Sequence, residues 1–424
     1  MLVQFTVENY RSFKTPCTLS MVASRDTQRR DQLILNAGGT KINLLRVAAI
    51  YGANAAGKSN FFKAFAFFRG MIRDSAKESQ VDEPIAVTPF LFQDGAEEIP
   101  SRFEIVFILG GRLLRYGFAC TASRITQEYL HDLHPRTKVL FERDAEKIEF
   151  GRSFKRGEVP TKPRANSLWL SLAALLGHQE GTVIVSALLG HYKSLAVGNP
   201  STTQRMIQTG SAQKEAVVRL LGRADLNIVD LTTWEQSFDD FAKEVRMPPS
   251  LQEHVKASAQ SAAAVYRTRF RHRSFSENGV REVEFGEDDE SAGTLRLFSI
   301  AGPFVETIEK GLSVFADELD RNLHPLIVES LVSGFLENST SNAQLVCSLH
   351  AVELMGPARG TESPNSALLR RDQIFLIEKR RDGSSDLYSL WDYGQSRKDE
   401  DRRTRYLRGF YRAIPAVSPF VEKD

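Results

Sequence analysis

Residues 52–59 have the sequence GANAAGKS and match the pattern GxxxxGK[ST] of a phosphate-binding loop. The glycines let successive backbone N–H groups turn toward phosphate oxygens, and the positive end of a following helix adds to that attraction. In this pattern Lys58 reaches the β- and γ-phosphates, and the Ser59 hydroxyl contacts Mg²⁺. The residues predicted to bind the nucleotide here are Gly52, Ala53, Asn54, Ala55, Ala56, Gly57, Lys58, Ser59 and Asn60.

The sequence on either side of this loop has the order that the motif requires. Residues 44–51 form a mostly apolar run rich in β-forming residues, which predicts a strand. Apolar residues after Lys58 recur at helical spacing, which predicts a helix with one apolar face. They are Phe61, Phe62, Ala64, Phe65, Phe68 and Met71. The order of strand, loop and helix favours nucleotide binding over an ordinary glycine turn.

A second element of a nucleotide site lies near the end of the chain. Residues 312–316 are a short apolar run, and Asp317 and Glu318 follow it directly. Two acids at a strand end are common by themselves, but a phosphate-binding loop needs such a partner. We expect Asp317 to hold Mg²⁺. We expect Glu318, the catalytic partner of Lys58, to orient or deprotonate the attacking water.

Composition limits the class of protein more than its function. The chain has 424 residues, 42% hydrophobic and 25% charged, which is typical of a globular protein with two or three structural units. A net charge of +2 gives no argument for nucleic-acid binding from bulk charge. Cys17, Cys120 and Cys347 are far apart and form no CxxC pair, which argues against a zinc site or a disulfide framework. With no export signal or long apolar segment recognised, we expect a cytoplasmic protein without a membrane partner.

Strand and helix patterns divide the chain into three parts. Strands are predicted at residues 2–7 and, as a hairpin around Gly110 and Gly111, at 103–109 and 113–120. Residues 167–265 have mainly helical patterns, interrupted by the polar stretch 198–204. A second hairpin is predicted at 266–275 and 280–285, around Asn278 and Gly279. We therefore expect an α/β fold with an N-terminal lobe at 1–120, an inserted, mainly helical subdomain at 121–269 and a C-terminal lobe at 270–424.

Several further stretches, in a fixed order, establish a resemblance. They are FTVENYRSF at 5–13, ESAGT at 290–294, LSVFADELDRNLHP at 312–325, SLHAVELM at 348–355, DQIFLIEK at 372–379 and YLRGFYRAIP at 406–415. Together with the phosphate-binding loop they resemble the ABC-type ATPase heads shared by SMC and RecF-like proteins. Within that group the sequence is similar to the AAA-type, RloA- and AbiL-like ATPases of bacterial anti-phage operons. The resemblance covers both ends of the chain and matches the helical middle poorly.

The resemblance implies a P-loop NTPase fold of the ABC/SMC-head type, with a mixed-sheet core, an antiparallel β subdomain and an inserted helical subdomain. Ser291 and Gly293 look like the signature motif that contacts the γ-phosphate bound to the opposite subunit. Asp320 looks like the aspartate that couples the two sites, and His350 like the catalytic switch histidine. Gln93 looks like the glutamine that reaches Mg²⁺. The SAGT sequence departs from the transporter form LSGGQ, which puts the transmission of nucleotide state in doubt.

The same resemblance implies ATP and Mg²⁺ as cofactors and a homodimer or higher homo-oligomer formed by ATP-sandwiched heads. The expected role is a nucleotide-gated sensor or scaffold that controls an effector protein, a nuclease or other toxin, from the same operon. A RecF-like or SMC-like DNA-binding ATPase clamp in repair or recombination is the alternative. A third possibility is a structural assembly core that retains nucleotide and scarcely hydrolyses it.

Four arginines recur at every second position in the second predicted hairpin: Arg267, Arg269, Arg271 and Arg273. On a strand they would share one face, where they could bind the phosphates of DNA or RNA. A solvated face of an edge strand explains the same pattern. The acidic run 287–290 lies nearby in sequence and could pair with it.

Overall fold

The structure is a computed structural model, and it describes residues 1–80, 82–195, 200–224, 227–258, 264–276, 279–356, 367–393 and 401–415. The chain forms two compact units. Unit 1 consists of Met1–Ser194, Thr307–Asp320 and Val328–Asp424, and unit 2 of Leu195–Glu306 and Arg321–Ile327.

The strands of the described residues are β1 (Leu2–Glu8), β2 (Cys17–Ser20), β3 (Leu33–Ile34), β4 (Leu44–Leu45), β5 (Val47–Gly52), β6 (Ser101–Leu109), β7 (Arg112–Cys120), β8 (Ile125–Asp132), β9 (Lys138–Asp144), β10 (Lys147–Phe150), β11 (Tyr192–Leu195), β12 (Ile228–Ser237), β13 (Ala264–Ser276), β14 (Gly279–Gly286), β15 (Ser313–Ala316), β16 (Gln344–Ser348), β17 (Ile374–Lys379) and β18 (Ser385–Ser389). The α-helices are α1 (Lys58–Asp74), α2 (Trp169–Leu175), α3 (Gln179–Gly190), α4 (Ser201–Thr209), α5 (Ser211–Gly222), α6 (Phe238–Glu244), α7 (Pro249–Ser258), α8 (Ala292–Lys310), α9 (Pro325–Leu336) and α10 (Arg402–Leu407).

Unit 1 contains a seven-stranded sheet with the order β10-β9-β8-β7-β6-β1-β2. Each neighbouring pair is antiparallel. Gly110 and Gly111 have φ of 56° and 78° in the turn between β6 and β7, a conformation that costs glycine little. The predicted first strand and hairpin are confirmed, and the sheet continues through β8, β9 and β10 by successive pairing with the preceding strand.

Unit 1 also contains a mixed sheet with the order β11-β15-β16-β5-β17-β18. The strands β15, β16, β5 and β17 are parallel, and β18 pairs antiparallel with β17. All six residues of β5 are buried, since the strand lies inside the sheet. Parallel strands end at the same edge of their sheet, so the segments after β5, β15 and β16 meet there.

Helix α1 packs its apolar face against side chains from both sheets. The Phe65 ring lies 5.2 Å from Phe5 of β1 and 3.5 Å from Phe315 of β15, between ring centroids. Phe68 stacks on Phe118 of β7 at 5.7 Å. Each aromatic side chain removes a large apolar area from water, so this face fixes the helix that follows the loop. The predicted apolar face is buried except for Met71, which is half-buried.

Unit 2 contains the three-stranded antiparallel sheet β12-β13-β14 with helices around it. Phe270 of β13 is fully buried and its ring lies 5.0 Å from that of Phe298 on α8. The Thr203 hydroxyl of α4 donates to the Phe298 carbonyl at 2.8 Å, and the Gly302 N–H donates to that hydroxyl at 3.0 Å. These contacts join α4, the sheet and residues 292–306 of α8 into one core.

This organisation differs from the expected helical insertion at 121–269. Residues 125–150 form three strands of the unit 1 sheet, and β12 adds a strand in unit 2. Charged side chains occupy buried positions in these strands, Glu128 and Asp132 in β8 and Arg143 in β9, so the apolar alternation that indicates a strand is interrupted there. The polar stretch expected at 198–204 includes the start of α4 at Ser201. The second hairpin is present; Asn278 lies outside the described residues, and Gly279 has a φ of 113°.

None of the single helices among the described residues is long and apolar enough to cross a membrane, although the bent pair α2 and α3 passes that test together by length and composition.

A buried carboxylate links β8 to the start of α2. Glu128 is fully buried, and its oxygens accept hydrogen bonds from the Trp169 N–H at 2.6 Å, the Leu170 N–H at 3.0 Å and the Tyr116 hydroxyl at 3.0 Å. Burial raises the pKa of Glu128, while the nearby Arg143 guanidinium acts in the opposite direction. The first N–H groups of a helix have no partner within the helix, so Glu128 supplies one.

Replacing Glu128 by Ala is expected to lower the free energy of unfolding by about 3–5 kcal/mol, because the change leaves two buried N–H groups without their acceptor and the buried Arg143 charge without its nearby carboxylate. Urea denaturation measures this loss. Glu149→Ala removes one partner of an exposed pair with Lys147 and should leave the midpoint unchanged. Equal midpoints for the two variants would show that Glu128 does not hold α2.

Candidate nucleotide-binding site

The phosphate-binding loop connects β5 to α1 at the edge where the parallel strands end. Gly52 closes β5, and a Cβ at this position would lie 2.5 Å from the Ile377 carbonyl oxygen of β17. Only glycine permits this approach of the neighbouring strand. The expected strand, loop and helix are confirmed.

The backbone of the loop bends through Ala55 and Gly57, with φ of 58° and 114°. A Cβ at Gly57 would lie 2.5 Å from the Ser385 Oγ and 2.7 Å from the Ser12 Oγ. The Ser385 hydroxyl donates to the Ala56 carbonyl at 2.6 Å. Two serines that are remote in sequence therefore pack directly on the loop and leave no room for a side chain at Gly57.

Ser12 also accepts a hydrogen bond from the Asn60 side-chain amide at 2.9 Å, and its carbonyl accepts from the Ser385 N–H at 2.7 Å. Sequence reasoning did not identify these two serines as part of the site. Ser12 lies inside the quoted FTVENYRSF stretch, which was the available signal for it.

Lys58 is the first residue of α1 and is only 7% exposed. Its ammonium group donates to the Gly52 carbonyl at 2.7 Å and the Ala53 carbonyl at 3.1 Å. Burial lowers the pKa of Lys58, while the charges of Asp317, Asp320 and Glu318 raise it. The three carboxylates that follow β15 therefore act electrostatically on the lysine of the loop.

Asp317 and Glu318 follow β15, as expected. The Ser348 hydroxyl at the end of β16 donates to Asp317 Oδ1 at 2.6 Å and accepts from the Glu318 N–H at 2.7 Å. Glu318 has a φ of 47°, in the left-handed region that non-glycine residues rarely adopt. Such strain often accompanies a functional position.

Asp320 holds the segment that contains His350. Its Oδ2 accepts hydrogen bonds from the His350 N–H at 2.6 Å and the Ala351 N–H at 2.7 Å. The His350 side chain is exposed. The acidic segment after β15 and the predicted switch segment after β16 are thus joined through the backbone of residues 350 and 351.

Several residues of the phosphate-binding loop are accessible to a ligand. Ala53 and Ser59 are half-buried, and Asn54 and Ala55 are exposed. A nucleotide-bound Mg²⁺ prefers oxygen ligands and keeps several waters, so it needs only one or two protein groups. The Ser59 hydroxyl and the Asp317 carboxylate provide oxygen donors of the right kind. Among the described residues no group of three or more His, Cys, Asp and Glu side chains could hold a metal by itself.

Gln93, the other predicted Mg²⁺ ligand, makes a contact on a different segment. Its side-chain amide donates to Asn9 Oδ1 at 2.8 Å, and the same oxygen accepts from the Phe90 N–H at 3.2 Å. Asn9 in turn donates to the Ile99 carbonyl at 2.7 Å. This network holds the loop before β6 against the residues that follow β1.

The predicted signature residues lie in unit 2, whereas the loop and the acidic residues lie in unit 1. The Ser291 hydroxyl accepts from the Thr294 N–H at 3.1 Å, as an N-terminal cap of α8. A Cβ at Gly293 would lie 3.0 Å from the Asn322 carbonyl oxygen. Glu290, directly before this cap, contacts the His272 ring of β13 at 2.5 Å. The cap is therefore anchored to the unit 2 sheet.

The four arginines of β13 share one face of that sheet, as expected, but three of them, Arg267, Arg269 and Arg271, pair with acidic side chains. Arg267 lies 3.4 Å from Glu244, and Arg269 lies 3.6 Å from Glu284. The further pairs are Arg267 with Asp288 and Arg271 with Asp230, Glu282 and Glu284. Arg269 also lies over the Trp234 ring. This pairing favours the interpretation as a solvated face and includes the acidic run that follows β14. The expected edge strand is wrong, because β13 is the central strand of its sheet.

A protein-family model described as "AAA domain, putative AbiEii toxin, Type IV TA system" matches residues 47–179. No curated protein matches the chain. Among solved structures the chain is similar to the SMC head domain from Thermotoga maritima, with a TM-score of 0.40 and 13% identity over 92% of this chain and 98% of that chain. An SMC head bound to the C-winged helix domain of ScpA gives 0.41 and 11%, over 92% and 97%. An SMC head with an extended coiled coil, bound to the C-terminal domain of ScpA derived from Pyrococcus furiosus, gives 0.38 and 12%, over 97% and 99%.

Likeness at these TM-scores does not bear on the function of this chain. The fold class rests on the central β5, the glycine-rich loop, α1, and the acidic end of β15 two strands away from β5. The family match begins at the first residue of β5 and includes the whole loop. The chain has the predicted P-loop NTPase fold, with a mixed-sheet core and an antiparallel β subdomain, and its residues 47–179 are similar to the AAA domain family.

Proposed function

We propose that this protein binds ATP with Mg²⁺ and hydrolyses it, and that its nucleotide state controls a partner effector protein in anti-phage defence. One observation carries the enzymatic part. The buried Lys58 ammonium lies in the loop after β5, and the carboxylates of Asp317 and Glu318 act on it electrostatically. Phosphoryl transfer depends on this combination of a cation for the phosphates and acids for metal and water.

Each residue has a distinct role in this proposal. Backbone N–H groups of the loop and Lys58 bind the β- and γ-phosphates, and Ser59 and Asp317 hold Mg²⁺. Bound Mg²⁺ supplies neutralisation of the charge that develops on the phosphate oxygens. Glu318 orients the attacking water and accepts its proton. Gln93 would contribute its side-chain oxygen Oε1 to the metal site, which is not the atom that donates to Asn9.

The proposed assembly is a homodimer or higher oligomer in which ATP lies between two heads. Ser291 and Gly293 of a second copy would complete the site, with Asp320 and His350 relating nucleotide state to the partner subunit. The cap position of Ser291 and the exposure of His350 support this role. The division into an N-terminal lobe at 1–120, an inserted subdomain at 121–269 that contains strands as well as helices, and a C-terminal lobe at 270–424 is part of the same proposal.

Purified full-length protein is expected to release phosphate from ATP only when Mg²⁺ is present, and a coupled phosphate assay with an EDTA control measures this. Light scattering with and without ATP tests the dimer. A protein that binds no ATP would refute the enzymatic proposal. A second protein from the same operon that is retained or released according to nucleotide would support the defence role.

The DNA-binding clamp gains no specific support from the structure. It would rely on the arginine face of β13, where Arg267, Arg269 and Arg271 already have acidic partners. Salt-dependent duplex binding that ATP stimulates, with no partner protein, would favour the clamp.

A further inference from the structure

Ser348 connects the end of β16 to three successive residues after β15. It is fully buried. Its hydroxyl contacts Asp317 Oδ1 at 2.6 Å and the Glu318 nitrogen at 2.7 Å, and its carbonyl accepts from the Leu319 N–H at 3.1 Å. The proposed metal ligand and the proposed base are therefore both held by one side chain.

The chemistry of the groups fixes the direction of these hydrogen bonds. A backbone N–H can only donate, so the Ser348 oxygen accepts from Glu318. A serine hydroxyl has a single proton, and that proton goes to the Asp317 carboxylate. Each contact thus requires a hydroxyl, because a methyl group can neither donate nor accept.

The contact with Glu318 has a conformational consequence. The left-handed backbone of Glu318 is unfavourable for a residue with a side chain and persists where its surroundings hold it. The hydrogen bond from the Glu318 N–H to Ser348 and the next one, from Leu319, fix this turn on both sides. The direction in which the Glu318 side chain leaves the backbone depends on this turn.

We propose that Ser348 is a positioning residue for ATP hydrolysis: it orients the Asp317 carboxylate toward Mg²⁺ and maintains the backbone turn that places Glu318 at the attacking water. This inference rests on the proposed ATPase function. It assigns to the end of β16 a role that is separate from that of His350.

The first test needs neither nucleotide nor metal. Hydrogen–deuterium exchange of the full chain is expected to show the Glu318 amide exchanging about tenfold faster in Ser348→Ala than in the wild type, because that amide loses its acceptor. The Leu319 amide keeps the Ser348 carbonyl and serves as the internal reference. Unchanged exchange at Glu318 would overturn the contact on which the proposal depends.

The second test separates hydrolysis from binding. Ser348→Ala is expected to lower kcat by about 10–100-fold and to raise the Mg²⁺ concentration that gives half-maximal turnover. The reason is that losing a group that orients a metal ligand weakens metal binding and activity by about this factor. ATP affinity without Mg²⁺ should stay close to that of the wild type, since Lys58 is untouched. Ser348→Thr retains the hydroxyl and should recover most of the turnover. Cysteine is close to serine in shape, but its S–H group is only a weak donor. The turnover of Ser348→Cys should therefore stay impaired.

Ser313→Ala is the matched control. Ser313 is also fully buried, in the neighbouring strand β15, and its hydroxyl contacts Gln344 Oε1 at 3.0 Å, at the opposite end of that strand from Asp317. This variant should keep the wild-type kcat and Mg²⁺ dependence. If Ser348→Ala does the same in an active protein, the role of Ser348 is refuted and the ATPase proposal stands. A wild-type protein without ATP turnover refutes the ATPase proposal and, with it, this role.

Discussion

The Glu318→Gln variant is expected to bind ATP like the wild type and to lose turnover by about 10²–10⁴-fold, because an amide has nearly the shape of the carboxylate but cannot accept the proton of the attacking water. Asp317 and Asp320 still act on Lys58 in this variant, so the phosphate-binding half of the site is retained. The unhydrolysed ATP should then hold the two proposed heads together. We expect a closed dimer that persists with ATP.

Single-turnover hydrolysis and light scattering measure the two parts of this prediction. Glu337→Gln removes an exposed carboxylate after α9 and serves as the control. Turnover equal to the wild type would assign the proton acceptor to another group. If the wild type and Glu318→Gln both bind ATP and neither hydrolyses it, the structural-core alternative is favoured.

The Lys58→Ala variant is expected to lose about 2–5 kcal/mol of ATP-binding free energy, a large drop in affinity, because it removes a buried charge from the phosphate site. The ammonium group is held over the loop by the Gly52 and Ala53 carbonyls, and no other side chain of the loop is a cation. Turnover should fall below detection, since positioning and charge neutralisation both fail.

Titration calorimetry with ATP measures the affinity. Lys63→Ala changes an exposed lysine on the same helix and should bind ATP normally. Lys58→Met keeps the aliphatic stem and reveals any effect of lost packing. Tight ATP binding by Lys58→Met would mean that the loop backbone alone carries the phosphates.

The features that local sequence determines could be predicted. The loop, α1 and the first hairpin depend on glycine placement and on periodic apolar residues, and the structure has all three. The strands β8 and β9 were missed because charged side chains, Glu128, Asp132 and Arg143, occupy buried positions and interrupt the apolar alternation. In β12 only Ile228 and Leu231 are buried, so its apolar pattern is weak. Their place in a sheet is fixed by pairing with neighbouring strands, which a single stretch of sequence does not reveal.

The residues of the candidate site also fall into those that the sequence predicts and those that it does not. Lys58 could be found because it lies in a GxxxxGK[ST] motif, and Asp317 and Glu318 because they directly follow an apolar run with strand character. Ser12 and Ser348 lie inside two of the quoted stretches, but no pattern assigns them a role, and Ser385 lies in none of those stretches. Each of the three serines acts through a hydrogen bond to a residue far away in sequence. The left-handed backbone at Glu318 likewise arises from tertiary contacts.

The position of β5 also determines when the site can form during synthesis of the chain. Both neighbours of β5 come from late in the sequence, with Leu345 beside Val47 and Phe375 beside Ile50. The ribosome makes the loop roughly 300 residues before these neighbours, and parallel pairing over such a separation is slow. A nascent chain that stops before residue 377 lacks the strand against which Gly52 packs. The proposed nucleotide site is therefore completed only late in translation, once β16 and β17 have been made.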